Sequence, residues 1–114
     1  MFIKKSQSTP IKTDNDSTIW DYPMPSEEQG ISYQELNGRL PKKGWYKNIK
    51  CHEIFFIISG SATVTIEDET QDANEGDMVI IEPGQKHYGI YQQTKLITIT
   101  TPNWYDEQCE IIGV

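Results

Sequence analysis

Cys51-His52-Glu53-Ile54-Phe55-Phe56-Ile57-Ile58-Ser59-Gly60 is the most apolar run in an otherwise polar chain, and its reading decides the fold. Side chains alternate with a period of two along a strand. Phe55 and Ile57 therefore take one face, and Ile54, Phe56 and Ile58 the other. A strand apolar on both faces is expected to be covered on both, as a central wall of the core. His52 and Glu53 open it, placing two ionisable groups at its mouth on opposite faces. The second informative stretch is Gly76-Asp77-Met78-Val79-Ile80-Ile81-Glu82-Pro83-Gly84-Gln85-Lys86-His87, a short strand bracketed by turn residues. Together the two stretches predict a β-barrel with a pocket.

Outward from Gly60, residues 53–59 and 61–67 read as a hairpin around Ser59-Gly60-Ser61, with Ala62, Val64 and Ile66 alternating against Thr63, Thr65 and Glu67. An acidic turn at 67–69 leads to short strands at 70–73 and 78–82, and two more are expected at 87–91 and 95–101. Upstream, 18–22, 31–36 and 45–50 read as strands. Asn37-Gly38 supplies residues that tolerate positive φ, and 41–44 form a turn. Trp20 and Tyr22 share a face and are expected to pin the N-terminal segment onto the barrel. Residues 102–106 read as a turn with a helical turn after it, and 109–114 as an extended tail. No ten-residue stretch carries a 3.6 period. The expected class is all-β, a small antiparallel sandwich or barrel. Residues 1–17, polar and aperiodic, are read as a flexible N-terminal arm, and 18–114 as one domain.

With 114 residues the chain suffices for one core. Its net charge of -7 argues against nucleic acid as a partner, since phosphate neutralisation needs clustered Lys and Arg. Lys4-Lys5 and Lys42-Lys43 look like solvated tips. No apolar run approaches the roughly 20 residues that cross a bilayer, so no membrane partner is expected. The first eight residues are too weakly apolar for a signal peptide, which makes a cytoplasmic location the default. Cys51 and Cys109 have no metal-binding spacing and are expected as buried thiols rather than a disulfide.

Glu53, six intervening residues and Gly60 resemble the second half of the first cupin signature. Gly76-Asp77, Pro83-Gly84 and His87 resemble the second, and Thr101-Pro102 before Trp104 is similar to the tail of many single-domain cupins. The resemblance covers about residues 44–91 and implies a cupin-type jelly-roll barrel, a double-stranded β-helix. In metal-binding cupins the first signature also supplies two His, one residue apart, ahead of the Glu. Here their places fall on Lys47 and Ile49, or on Tyr46 and Asn48 if the spacing is one longer. The resemblance thus leaves a divalent transition metal open while the usual His pair is missing. Glu53 and His87 would be its ligands, joined by His52 only through a bulge or register shift.

The same residues carry plainer readings. Glu53 could be a strand end salt-bridged to Lys47 or Lys50, and His87 a core histidine bonded to backbone. Two functions stay open. In one, a cupin enzyme of isomerase or epimerase type, or a metal-dependent one, binds a sugar-like molecule or small acid. Glu53 and His87 act as its acid–base pair, and Tyr46, Lys47, Phe55 and Tyr91 line the pocket. In the other, a non-catalytic cupin binds a ligand or serves as a dimerisation module. Either way, uncovered edges and faces of so small a barrel predict a homodimer, with strands around 18–36 in the interface.

Overall fold

The computed structural model describes residues 1–13 and 16–113. Its strands are β1 Thr9–Lys12, β2 Thr18–Asp21, β3 Gly30–Leu40, β4 Trp45–Asn48, β5 His52–Ile66, β6 Glu69–Asn74, β7 Met78–Ile81, β8 Lys86–Thr101 and β9 Cys109–Ile112. They form one antiparallel sheet curled into a barrel. Its order runs β1-β2-β3-β8-β4-β9, and β5 lies against the other side of β8 and carries β6 and β7 on its free edge.

The long strands differ from expectation. Residues 53–59 and 61–67 are not two arms of a hairpin, nor are 87–91 and 95–101 separate strands. β5 and β8 each run straight through and pair along their whole length, from His52 opposite Thr101 to Ile66 opposite His87. Each bends instead of reversing. The pairing slips between Ile57 and Ser61 on β5, and between Leu36 and Gly38 where β3 meets β8. Adjacent bulges bend neighbouring strands together, which is how a flat sheet becomes a barrel wall.

Gly60 sits at this corner with φ +83°, and a Cβ there would overlap the Gln93 carbonyl oxygen, so only glycine fits. The buried Thr94 hydroxyl donates to the Ser61 carbonyl at 2.6 Å, and the Asn37 side chain accepts from Gln93 N at 2.8 Å. These two bonds tie β5, β8 and β3 at the bend. The reversal expected near Gly60 lies further on, at Glu67-Asp68, where β5 turns into β6.

The inner face of the curled sheet holds the core, with Leu36, Phe55, Ile57, Ala62, Val64, Ile81 and Leu96 buried together. The outer face of β5 is not covered within the chain. Phe56 is 44% exposed and Ile58 38%, so β5 is central in its sheet yet walls the core on one side only.

Within the segment read as a flexible arm, Thr9–Lys12 forms β1 against β2. Upstream of it, Lys5 sits 4.1 Å over the Trp20 ring, and Trp20 stacks on Tyr33 at 5.5 Å. Backbone pairing and a cation–π contact thus anchor a stretch with no hydrophobic period to announce it. Asp14 and Asn15 of that arm, and Val114 of the expected tail, lie outside the described residues. The rest of that tail is β9, paired with β4. Among the described residues no helix is long and apolar enough to cross a membrane.

Candidate functional site

The barrel encloses a cavity of about 590 Å³, within the size range of small-molecule sites. Glu53 from β5, His87 from β8 and Tyr46 from β4 meet at one end of it, with Phe55 and Tyr91 on its wall. Strand alternation brings them there. Glu53 and Phe55 are two apart on β5, His87 and Tyr91 four apart on β8, and Tyr46 lies directly opposite His87.

The same alternation removes two expected residues. Lys47, between Tyr46 and Asn48, does not line the cavity. His52 points out of the barrel, 55% exposed, with its Nδ1 2.7 Å from a Glu82 carboxylate oxygen. No bulge falls between His52 and Glu53 to turn it inward, since both stay in register with β8.

Glu53 is almost fully enclosed. The Asn48 amide donates to its Oε1 at 2.7 Å, in place of the Lys47 or Lys50 salt bridge that the sequence left open. Asn48 is itself held by Gln108, whose Nε2 donates to Asn48 Oδ1 at 3.1 Å while its Oε1 accepts from Cys51 N at 3.0 Å. Both amides are buried. Burial pushes the Glu53 carboxyl up to about 7, and the Asn48 hydrogen bond only partly offsets this.

His87 Nδ1 faces the Gln85 carbonyl oxygen at 3.3 Å, and Nε2 faces Glu53 Oε1 at 3.8 Å. Burial lowers the His87 pKa, and the Gln85 carbonyl opposes the shift. The Glu53–His87 separation would suit an ion pair, but both groups are shifted toward their neutral forms. Below about pH 7, and above the lowered His87 pKa, the pair is a carboxylic acid facing a neutral imidazole. With Nδ1–H donated to Gln85, Nε2 keeps its lone pair toward the cavity.

The tyrosines complete this end. The Tyr46 ring lies 5.8 Å from the imidazole, and burial followed by the nearby Cys109 and Glu53 raises its pKa. Tyr91 is raised by burial, then by Glu53 and Tyr46. Both phenols stay protonated and can donate. Neither cysteine is activated. Burial and Glu53 raise Cys51, and Cys109 is pushed up to about 11, chiefly by burial. Both thiols are free, Cys51 buried and Cys109 partly so.

A metal centre does not fit this donor set. Among the described residues no three His, Cys, Asp or Glu side chains converge. Of the residues on which the paired His of metal-binding cupins could fall, Asn48 turns an N–H group, not an oxygen, toward Glu53.

Asn48 and Gln108, which hold the carboxyl, had no signal in the sequence as a pair because 60 residues separate them. Other cavity residues that sequence reasoning passed over are Asp21, Ser32, Gln34, Thr98, Thr100 and Asp106. The inward alternation of β3 and β8 could have flagged the Ser, Gln and Thr residues. Asp21 is raised by burial and by the nearby Asp106.

An antiparallel barrel around a largely apolar cavity with a few ionisable and polar groups at its wall defines a class of small β-barrel proteins. The chain belongs to the cupins, since the Cupin domain family model matches residues 41–98, just over half of its length. The fold is similar to that of Pac13, a nucleoside dehydratase, with TM-score 0.86 and 9% identity over 98% of this chain and 90% of that one. A substituted Streptomyces PAC13 with uridine is similar too, with TM-score 0.87 and 9% identity over the same shares. A Bacillus subtilis oxalate decarboxylase variant matches 95% of this chain but only 31% of its own, with TM-score 0.80 and 17% identity. At such identities the likeness is one of fold. No curated protein sequence matches the chain.

Proposed function

We propose that this cupin is a proton-transfer enzyme acting on a small polar molecule, with Glu53 and His87 as its acid–base pair. The observation that carries the reading is the buried Glu53 carboxyl, with a pKa near 7, beside the Nε2 of a neutral imidazole at one end of a ligand-sized cavity. Such a pair suits proton removal alpha to a carbonyl. His87 Nε2 takes the C–H proton, and its electron pair moves into the new C=C bond. Glu53 gives its proton to the carbonyl oxygen, forming an enol, or to a departing hydroxyl, which leaves as water. Returning the proton to carbon gives isomerisation or epimerisation, and losing water gives dehydration. Pac13, a nucleoside dehydratase of the same fold, makes the second outcome a natural one to test. Tyr46 and Tyr91 would donate to the developing oxyanion.

The test is deuterium exchange from D2O into carbonyl-bearing sugars and nucleoside aldehydes, followed by mass spectrometry. Exchange by the unmodified chain that Glu53→Gln and His87→Ala each reduce at least a hundredfold is the expected result. Ligand binding without exchange would favour the non-catalytic reading, to which the missing His pair lends its support.

A further inference from the structure

A second group of cavity residues takes no part in the acid–base pair. Across β3, β8 and β5 the register sets Ser32 opposite Thr98 and Gly30 opposite Thr100, and Thr100 in turn opposite Glu53. Gln34 Nε2 donates to Ser32 Oγ at 2.9 Å and to Thr98 Oγ1 at 3.0 Å. The Thr100 hydroxyl differs. Thr100 is 4% exposed, and its Oγ1 has no hydrogen-bond partner among the described residues. A buried hydroxyl left so is unfavourable, and a water or a bound molecule that supplies the missing partner relieves the cost.

Gly30 leaves the space beside this hydroxyl free of a side chain. A Cβ at position 30 would overlap the Asn103 side-chain oxygen and lie 2.7 Å from Thr100 Oγ1. The charge of the lining points the same way. Asp21 and Asp106 add carboxyl groups beyond Glu53, which is neutral below about pH 7, and no Lys or Arg lines the cavity among the described residues. A ligand carboxylate or phosphate would meet like charge with no counter-ion, whereas hydroxyl groups would meet donors and acceptors.

We propose that Thr100, with Thr98, Ser32 and Gln34, forms a hydroxyl-recognition subsite that admits neutral polyhydroxylated ligands and rejects anionic ones. The proposal rests on the acid–base reading for one point only, that the gripped hydroxyl lies next to the carbon presented to Glu53 and His87. It removes small acids from the ligands the sequence left open.

The test is saturation-transfer NMR on the full chain with three matched pairs: glucose and glucuronate, ribose and ribose 5-phosphate, cytidine and its 5′-monophosphate. At least one neutral member is expected to bind, and its anion at least tenfold more weakly. Thr100→Val should weaken that binding about tenfold, and Thr100→Ser should retain it. Gln34→Leu, which removes the donor to Ser32 and Thr98 without altering the Thr100 side chain, should also weaken it and serves if Thr100→Val does not fold. An anion binding as well as its parent, unchanged affinity in both Thr100→Val and Gln34→Leu, or no binding by any neutral member would overturn the subsite. Failure of the acid–base reading shows separately, as neutral ligands that bind without deuterium exchange.

Discussion

A carboxyl group enclosed beside an imidazole settles either as an ion pair or as two neutral groups, and desolvation favours the second here. The choice has a measurable sign. Glu53 keeps its proton in the folded chain up to about pH 7, while the unfolded chain loses it near 4.5. Its contribution to stability is full below about 4.5 and is lost as pH climbs to about 7, by up to about 3 kcal/mol. His87 acts oppositely. Its lowered pKa makes its contribution full above 6.5 and lost as pH falls. Glu53→Gln should therefore gain on the unmodified chain between pH 4.5 and 7 and hold that gain above, in urea unfolding at a series of pH values. Parallel curves would contradict this. Asn48→Ala removes the one bond that lowers the Glu53 pKa and should raise it further. Chelator-free protein is expected to hold no stoichiometric transition metal in elemental analysis, and one ion per chain, lost in His87→Ala, would overturn that expectation. Glu53 and His87 were legible because signature spacing marked them. Asn48 and Gln108 were not, since their partnership exists only once β9 closes against β4.

Among the elements, β5 and β8 matter most. Alternation placed nearly every strand, but the sequence around Gly60 looks the same whether the chain turns back or merely bends. Gly and Ser break a period in either case, and only pairing partners distant in sequence decide which happens. Here Ser61 pairs with Gln92 and Ile57 with Leu96, so the strand continues. β1 was missed for a related reason, being exposed and held by backbone bonds that leave no hydrophobic signature. The corner gives a direct prediction. Gly60→Ala combines a positive φ with an overlap on the Gln93 carbonyl and should cost at least about 2 kcal/mol in thermal or urea unfolding. A loss below about 0.5 kcal/mol would mean the corner is looser than described.

Over the whole molecule, the outer face of the sheet bears two apolar rows. Ile80, Ile54, Ile99 and Ile31 lie side by side across β7, β5, β8 and β3. Beside them run Met78, Phe56, Ile97, Tyr33 and Trp20, reaching β2. Met78 is 58% exposed and Ile80 48%. Contiguous exposed apolar rows in other proteins usually mark an interface, and a predominantly apolar face suits an isologous pair. The chain is expected to be a dimer by light scattering at micromolar concentration, and Phe56→Glu a monomer of unchanged fold. A monomeric unmodified chain would contradict this. Doubly apolar β5 announced the face in the sequence, though which side looked outward awaited the curl. Within the barrel, the functional account depends on Glu53 and His87 being neutral together. The most direct measurement is an NMR titration of the Glu53 side-chain carboxyl carbon alongside the His87 ring nitrogens. The account predicts a Glu53 midpoint near 7 and a His87 midpoint below 6.5. A Glu53 midpoint near 4.5 with His87 above 6.5 would show a standing ion pair and contradict it.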